Sequence, residues 1–509
     1  MGGVCSRLRG AAIGVVLTCV SASAQSTAQG TAASQPQSDV RQAADATAGH
    51  DMSAMAREGS GTSWLPDSSP MYMVHRQSGP WMLMAHANGF LQYLHESGDR
   101  GADQTGSINW LMGMAERRAG RGHLALRGMV SAEPWTIRGC GYPDLLASGE
   151  LCGGEKIHDR QHPHDLFMEI SAEYDRPLAG RTRWQLFGGP AAEPALGPVA
   201  YPHRVSAMPN PMAPISHHWL DSTHVAFGVI TGGIYGKRWK VETSAFNGRE
   251  PDENRKDFDF GALDSVSGRL WFLPTSSVAL QVSGGHLKDA EAGATTDEPR
   301  HDVNRVTASA TFHRVTSRRV IASTVAWGRN SEHGIATNAL MLETNLTFTD
   351  RDTWFGRLEV AQKTPHDLDI AETRDTFTVS KLQGGYTRYF TAASEWKAGV
   401  GGAVSASIVP SHLSAVYGRR VNPGIAVFLT VRPAIMAGTA TAAPGSAPTM
   451  VMVQTAYDPA KLTCPAGFDP RTAPATTYEG KTYYFCSAAD RDQFLTDPRM
   501  SLSMMPPKQ

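Results

Sequence analysis

Charge is scarce in this chain and almost cancels: charged residues make up 19%, and the formal net charge is −1. A nucleic-acid binder needs a basic face, so that class of partner is excluded. Past the first two dozen positions there is no run of 18 or more apolar residues, so no transmembrane helix is expected. Cysteine is also rare, at 6 in 509 residues. No phosphate-binding glycine loop, H-E-x-x-H or G-x-S-x-G motif occurs, and no Ser, His and Asp spacing singles out a catalytic set. A non-enzymatic role is therefore expected. What the chain does have is apolar content of 41% with Gly 50 and Pro 31, enough for a large core broken by many turns.

Residues 1–24 read as a secretory signal peptide. Arg7 and Arg9 precede a short apolar core from Ala11 to Val20, and Ala22-Ser23-Ala24 offers a small-residue cleavage site. Export removes Cys5 and Cys19 and leaves two local pairs, Cys140 with Cys152 and Cys464 with Cys486. In an oxidising compartment the first pair is a disulfide candidate that would tighten one loop. Residues 25–79, rich in Ala, Ser, Gln, Thr and Gly, have too little apolar surface to offset ordering entropy and read as disordered or plug-like.

From residue 80 to 433 one pattern recurs. Leu340, Leu342, Leu346 and Phe348 alternate with Met341, Glu343, Asn345 and Thr347, and Val225, Phe227 and Val229 alternate with smaller or polar neighbours. Period two is the strand period. Links after even strands are tight, as at Ala119-Gly120 and Thr349-Asp350-Arg351, while links after odd strands are long, including 135–165, 190–221 and 248–260. Short turns at one rim and long loops at the other predict an all-β fold, an antiparallel transmembrane β-barrel of about 16 strands, within 14–18. Trp81, Trp110, Trp239, Trp271, Trp327, Trp354, Tyr386, Tyr389 and Trp396 fall near strand ends and are expected to form an interfacial girdle. The expected location is the bacterial outer membrane, against lipid, with both tails in the periplasm. A linker over 434–456 leads to a small module over 457–502.

That module carries Cys464-Pro465-Ala466-Gly467-Phe468-Asp469-Pro470, then Tyr478 to Ser487 around Cys486, then Phe494-Leu495-Thr496-Asp497-Pro498. It resembles a YHS domain, a small α+β module associated with heavy-metal handling. The resemblance implies a soft-metal site at Cys464 and Cys486, with Asp490 standing where the family usually has a further cysteine. The two thiols alone are equally compatible with a disulfide closing their loop.

Ligand-type residues are skewed toward the first half: 11 of 18 histidines and 12 of 20 methionines lie between His50 and His218. His50, Met52 and Met55 form one cluster. Met71-Tyr72-Met73, Met82-Leu83-Met84-Ala85-His86 and Met112-Gly113-Met114 form others, and a Met-x-Met on a strand points both thioethers to one face. The densest polar string runs from His158 through His162 and His164 to Asp165, with His203 and His217-His218 able to join it. Imidazole and thioether together suit Cu or Zn, so a transition-metal, copper-like role is expected, with metal ions and periplasmic metal-handling proteins as partners. The alternatives are a hydrogen-bonded loop folded into the lumen, and thioethers acting as apolar filler in a general channel. The acidic run Glu250, Asp252, Glu253, Asp257 and Asp259 reads as a solvated charge mesh at the rim.

Overall fold

A computed structural model describes residues 57–291, 299–316, 319–349, 351–371, 376–390 and 395–435, with 455–456, 474–478, 481–485 and 491. The strands in chain order begin with β1 (Val74–Ser78), β2 (Trp81–Glu96), β3 (Asp103–Ala119), β4 (Gly122–Val130), β5 (Tyr142–Cys152), β6 (Glu155–Gln161), β7 (Phe167–Ala179), β8 (Thr182–Ala191), β9 (Val229–Tyr235) and β10 (Trp239–Phe246). They continue with β11 (Ser265–Thr275), β12 (Val278–Glu291), β13 (His301–Val315), β14 (Arg319–Glu332), β15 (Ile335–Phe348), β16 (Asp352–Lys363), β17 (Phe377–Tyr389), β18 (Trp396–Ile408) and β19 (Val421–Pro433). Each wall strand pairs antiparallel with the next, skipping the β5–β6 hairpin, and β19 closes on β2, giving a 16-strand barrel.

The seam is composite. β19 pairs with the far half of β2, from Gly89 to Glu96, and β1 pairs with its near half, from Trp81 to Ala85. The backbone of β2 is thus served on one side by both ends of the barrel chain.

The wall is apolar outside and polar inside. Leu340 and Leu342 are about half exposed, whereas Glu343, the next residue in the same strand, is 1% exposed. Arg269, Arg305, Lys240 and Lys363 are among the most buried side chains. A water-soluble sandwich would invert this arrangement. Here the outward apolar face is the lipid-facing one of a membrane barrel. Trp239, Phe272, Phe312, Phe348, Trp354 and Trp396 are exposed near the short-turn rim, and Trp239 sits opposite Phe272. Three members of the expected girdle point the other way: Trp110, Trp271 and Tyr389 fall on the inward parity of their strands and are buried in the lumen.

The interior is filled by chain. The connection over 192–228 runs inside the barrel and is buried almost throughout. Toward the short-turn rim it packs on residues 57–73: Trp64, Leu65 and Tyr72 share a cluster with Val199, Val205 and Met208 of the plug and Trp271 and Leu273 of the wall. Toward the long-loop rim the β5–β6 hairpin, with Cys140 and Cys152 bonded to each other, inserts Leu145 and Leu146 against Ile215, Trp219 and Leu220. Of the segment expected to be disordered or plug-like, residues 57–73 are built into the lumen and 74–78 into the seam. Val225 and Phe227 were expected in a strand. They belong to the plug, and only the bridge of Ala192 with Ala226 precedes β9.

Beyond the barrel, β20 (Thr455–Ala456), β21 (Ala475–Tyr478) and β22 (Lys481–Phe485) form a small antiparallel sheet, with Tyr483 and Phe485 buried. Cys464, Cys486 and Asp490 lie outside the described residues, as do His50, Met52 and Met55.

Candidate functional site: the occluded lumen

Irregular backbone at membrane depth is tolerated only where protein shields it and satisfies its polar groups. The plug meets that condition through the wall's inward side chains. Asn88 donates to the carbonyl of Met208 (2.9 Å), Asn345 to Val205 (2.9 Å), Arg357 to Met212 (2.8 Å) and Asn330 to His218 (3.0 Å). In return Ser244 and Ser283 accept from the backbone N–H of Ala195 (2.7 Å) and Gly197 (2.8 Å). These anchors sit on β2, β10, β12, β14, β15 and β16, so the plug crosses the whole lumen.

At its centre is Arg204, fully buried. Its guanidinium donates to Glu343 (2.5 Å), to Asp221 (2.8 Å) and to the carbonyl of Val199 (2.8 Å). Glu343 also accepts from Arg357 (3.1 Å) and Ser206 (2.8 Å). Burial alone would raise Asp221, but Arg204, and His217 beside it, outweigh that and hold its carboxyl well below the ordinary range. This clamp joins two parts of the plug to two strands of the wall.

Near the long-loop side five histidines gather around Tyr201. The rings of His217 and His224 lie 5.1 Å apart, those of His164 and His224 5.4 Å, and those of His162 and His218 6.3 Å. Each is engaged through Nδ1, His224 with the carbonyl of Asp221 (2.8 Å). His164 bonds Glu133 through Nδ1 (3.0 Å) and the Tyr201 hydroxyl through Nε2 (2.9 Å). His217 Nδ1 meets Asp221 (2.8 Å), and His162 Nδ1 meets the carbonyl of Pro163 (3.2 Å). His218 Nδ1 lies 2.9 Å from Glu250 and 3.7 Å from Glu291. Burial would lower His218, yet these two carboxylates prevail and push it up to about 9. Burial pushes His217 down to about 4 despite Asp221. A protonated His218 therefore supplies the positive charge that Glu250 and Glu291 require. As it stands, the cluster is a latch between the plug, the loop over 247–264 and the end of β12.

The structure thus unites His162, His164, His217 and His218, and separates others. His158 joins Asp159 (3.0 Å) and Asp369 (3.3 Å) at the rim. Asp165 pairs with Arg255 (3.4 Å) rather than with an imidazole. His203 lies deeper, its Nε2 3.3 Å from the Met129 sulfur. The acidic loop divides as well: Asp252, Asp257 and Asp259 cluster toward solvent, while Glu250 turns inward to His218. Tyr201, Asp221, Glu133 and Glu291 carry no local motif. Nothing short of the closed barrel brings them together.

Fold and site define a transmembrane β-barrel with a lumen closed by its own chain. No family model matches the sequence, and no curated protein does. Solved structures with a similar fold include OmpT of Vibrio cholerae, at 8% identity and a TM-score of 0.40 over 70% of this chain and 100% of that one. Salmonella typhi OmpF in complex with daunomycin gives 10% identity and 0.44, over 70% and 100%. The outer membrane channel DcaP of Acinetobacter baumannii gives 9% and 0.39, over 70% and 99%.

Proposed function

We propose that this chain is a non-enzymatic channel of the bacterial outer membrane, held shut by its internal loop and opened by displacement of that loop. The carrying observation is the Arg204 clamp: a wall glutamate, a plug arginine and a plug aspartate, all buried, fix the plug across the passage. A barrel needing only a rigid cylinder has no use for charged groups at that point. Apolar side chains of the same volume would serve as well or better. In this reading both ends of the chain face the periplasm.

Planar-bilayer recording tests it. The native protein should show little steady current, and replacing residues 196–222 by a short Gly-Ser linker should give large, stable steps. If the shortened barrel conducts no more than the native one, the proposal fails.

A second reading, handling of a copper-like or zinc-like ion, is favoured by the thioether and imidazole groups that line part of the lumen. It would also draw on Cys464, Cys486 and Asp490. Metal titration that is weaker after Cys464→Ser plus Cys486→Ser would support that module's share, and unchanged binding would remove it.

A further inference from the structure

Between β2, β3, residues 57–73 and the plug lies a partly open cavity of about 50 Å³. The wall contributes Met84, Met112, Met114 and His86; residues 57–73 contribute Met71 and Met73, and the plug contributes Met208 and His203. The register explains the wall's share. Met84 stands directly opposite Met114, and His86 opposite Met112, which in turn faces Met129 on β4. Opposed residues on one face of a sheet have Cβ atoms about 5 Å apart, within reach of a shared ion for side chains as long as Met.

Methionine is a common gap-filler, and six around one space could be packing alone. Two observations argue otherwise. His86 Nε2 is buried there with no hydrogen-bond partner among the described residues, its ring edge-on to Trp110 at 4.7 Å. Glu116, also on the lining, has a buried oxygen Oε1 with no such partner. An apolar filler gives no reason to bury an imidazole nitrogen and a carboxylate oxygen without partners.

We infer that this cavity is a binding site for one soft monovalent cation, Cu(I) or Ag(I), held by thioethers of Met84, Met112 and Met114 with His86 Nε2, and balanced in charge by Glu116. Neutral thioether sulfur binds such ions and is a poor ligand for Zn(II) or Mg(II). The site does not depend on the barrel conducting, nor on the cysteines of the C-terminal module. Binding involves no redox step: the copper enters already reduced.

The test uses the full chain carrying Cys464→Ser and Cys486→Ser in detergent. It is titrated anaerobically with Cu(I) against a chromophoric chelator, and separately with Ag(I). One equivalent should bind, with sulfur scatterers in the copper X-ray absorption spectrum. The Met84→Leu, Met112→Leu, Met114→Leu variant keeps side-chain volume. It should lose at least about 100-fold in affinity, since even outer partners of a metal site contribute up to that much. Its barrel should still show folded, heat-modifiable migration. Unchanged affinity in that variant, or a native spectrum with only nitrogen and oxygen neighbours, overturns the site. If the triple variant does not fold, the native spectrum and His86→Phe decide, because loss of the nitrogen scatterer is expected only if His86 is a ligand.

Discussion

Two histidines one residue apart titrate in opposite directions, and the sign follows from their partners. His218, raised to about 9, contributes stability that is fully present below its unfolded value near 6.5 and lost as pH rises through 9. His217, lowered to about 4, favours the folded state above 6.5, and that contribution is lost as pH falls toward 4. The plug should therefore be most firmly seated near pH 6 to 7, with protease sensitivity of residues 192–228 rising on both sides. His218→Gln should remove the alkaline arm and leave the acid one; an unchanged alkaline arm would show that Lys156, 3.8 Å from Glu291, or another group governs it. At the clamp, Glu343→Gln leaves Arg204 and Arg357 buried without their shared carboxylate. We expect about 3–5 kcal/mol lost, as for other broken buried ion pairs, and visible current through an otherwise closed barrel in bilayer recording.

At the level of elements, one glycine reports on how the plug fits the wall. Gly328 in β14 has no side chain, and a Cβ there would stand 2.2 Å from the backbone carbonyl of Trp219. Gly328→Val should push the short helix His217–Leu220 off the wall while β-branching favours the strand itself. Hydrogen exchange should then quicken over 215–224 and stay slow in β14; slow exchange in both would refute the close fit. The strands were legible because lipid outside and polar lumen inside impose period two along each of them. The plug was not, because a proline-rich coil (Pro194, Pro198, Pro202, Pro209, Pro211, Pro214) reads like a surface connection. Its inward course shows only in the wall side chains that serve it. Val225, Phe227 and Val229 kept strand periodicity across the plug–wall junction because the same interior receives all three. The histidine string marked a real gathering point. Its partners, Glu133, Tyr201 and Asp221, come from other connections and carry no sequence signal.

For the whole molecule the decisive contrast is between its two faces. Leu342→Arg places a guanidinium against lipid and should cost about 2–4 kcal/mol near the bilayer midplane. Native Arg305 and Lys363, on the inner parity, are accommodated by the polar lumen. Urea unfolding in lipid vesicles would measure the difference, and a neutral Leu342→Arg would mean that the outer face is not embedded there. The aromatic residues follow the same division. Trp239, Phe272, Phe312, Phe348, Trp354 and Trp396 on the outer parity lie near the short-turn rim, while Trp110, Trp271 and Tyr389 serve as packing for the interior.

The split seam bears on how such a cylinder is assembled. Because β1 and β19 share one flank of β2, zipping up the final strand also traps whatever lies within, and residues 57–73 enter the lumen just ahead of β1. Filling must then precede or accompany sealing, so that threading order during biogenesis, and not only the finished contacts, determines whether the passage ends up blocked.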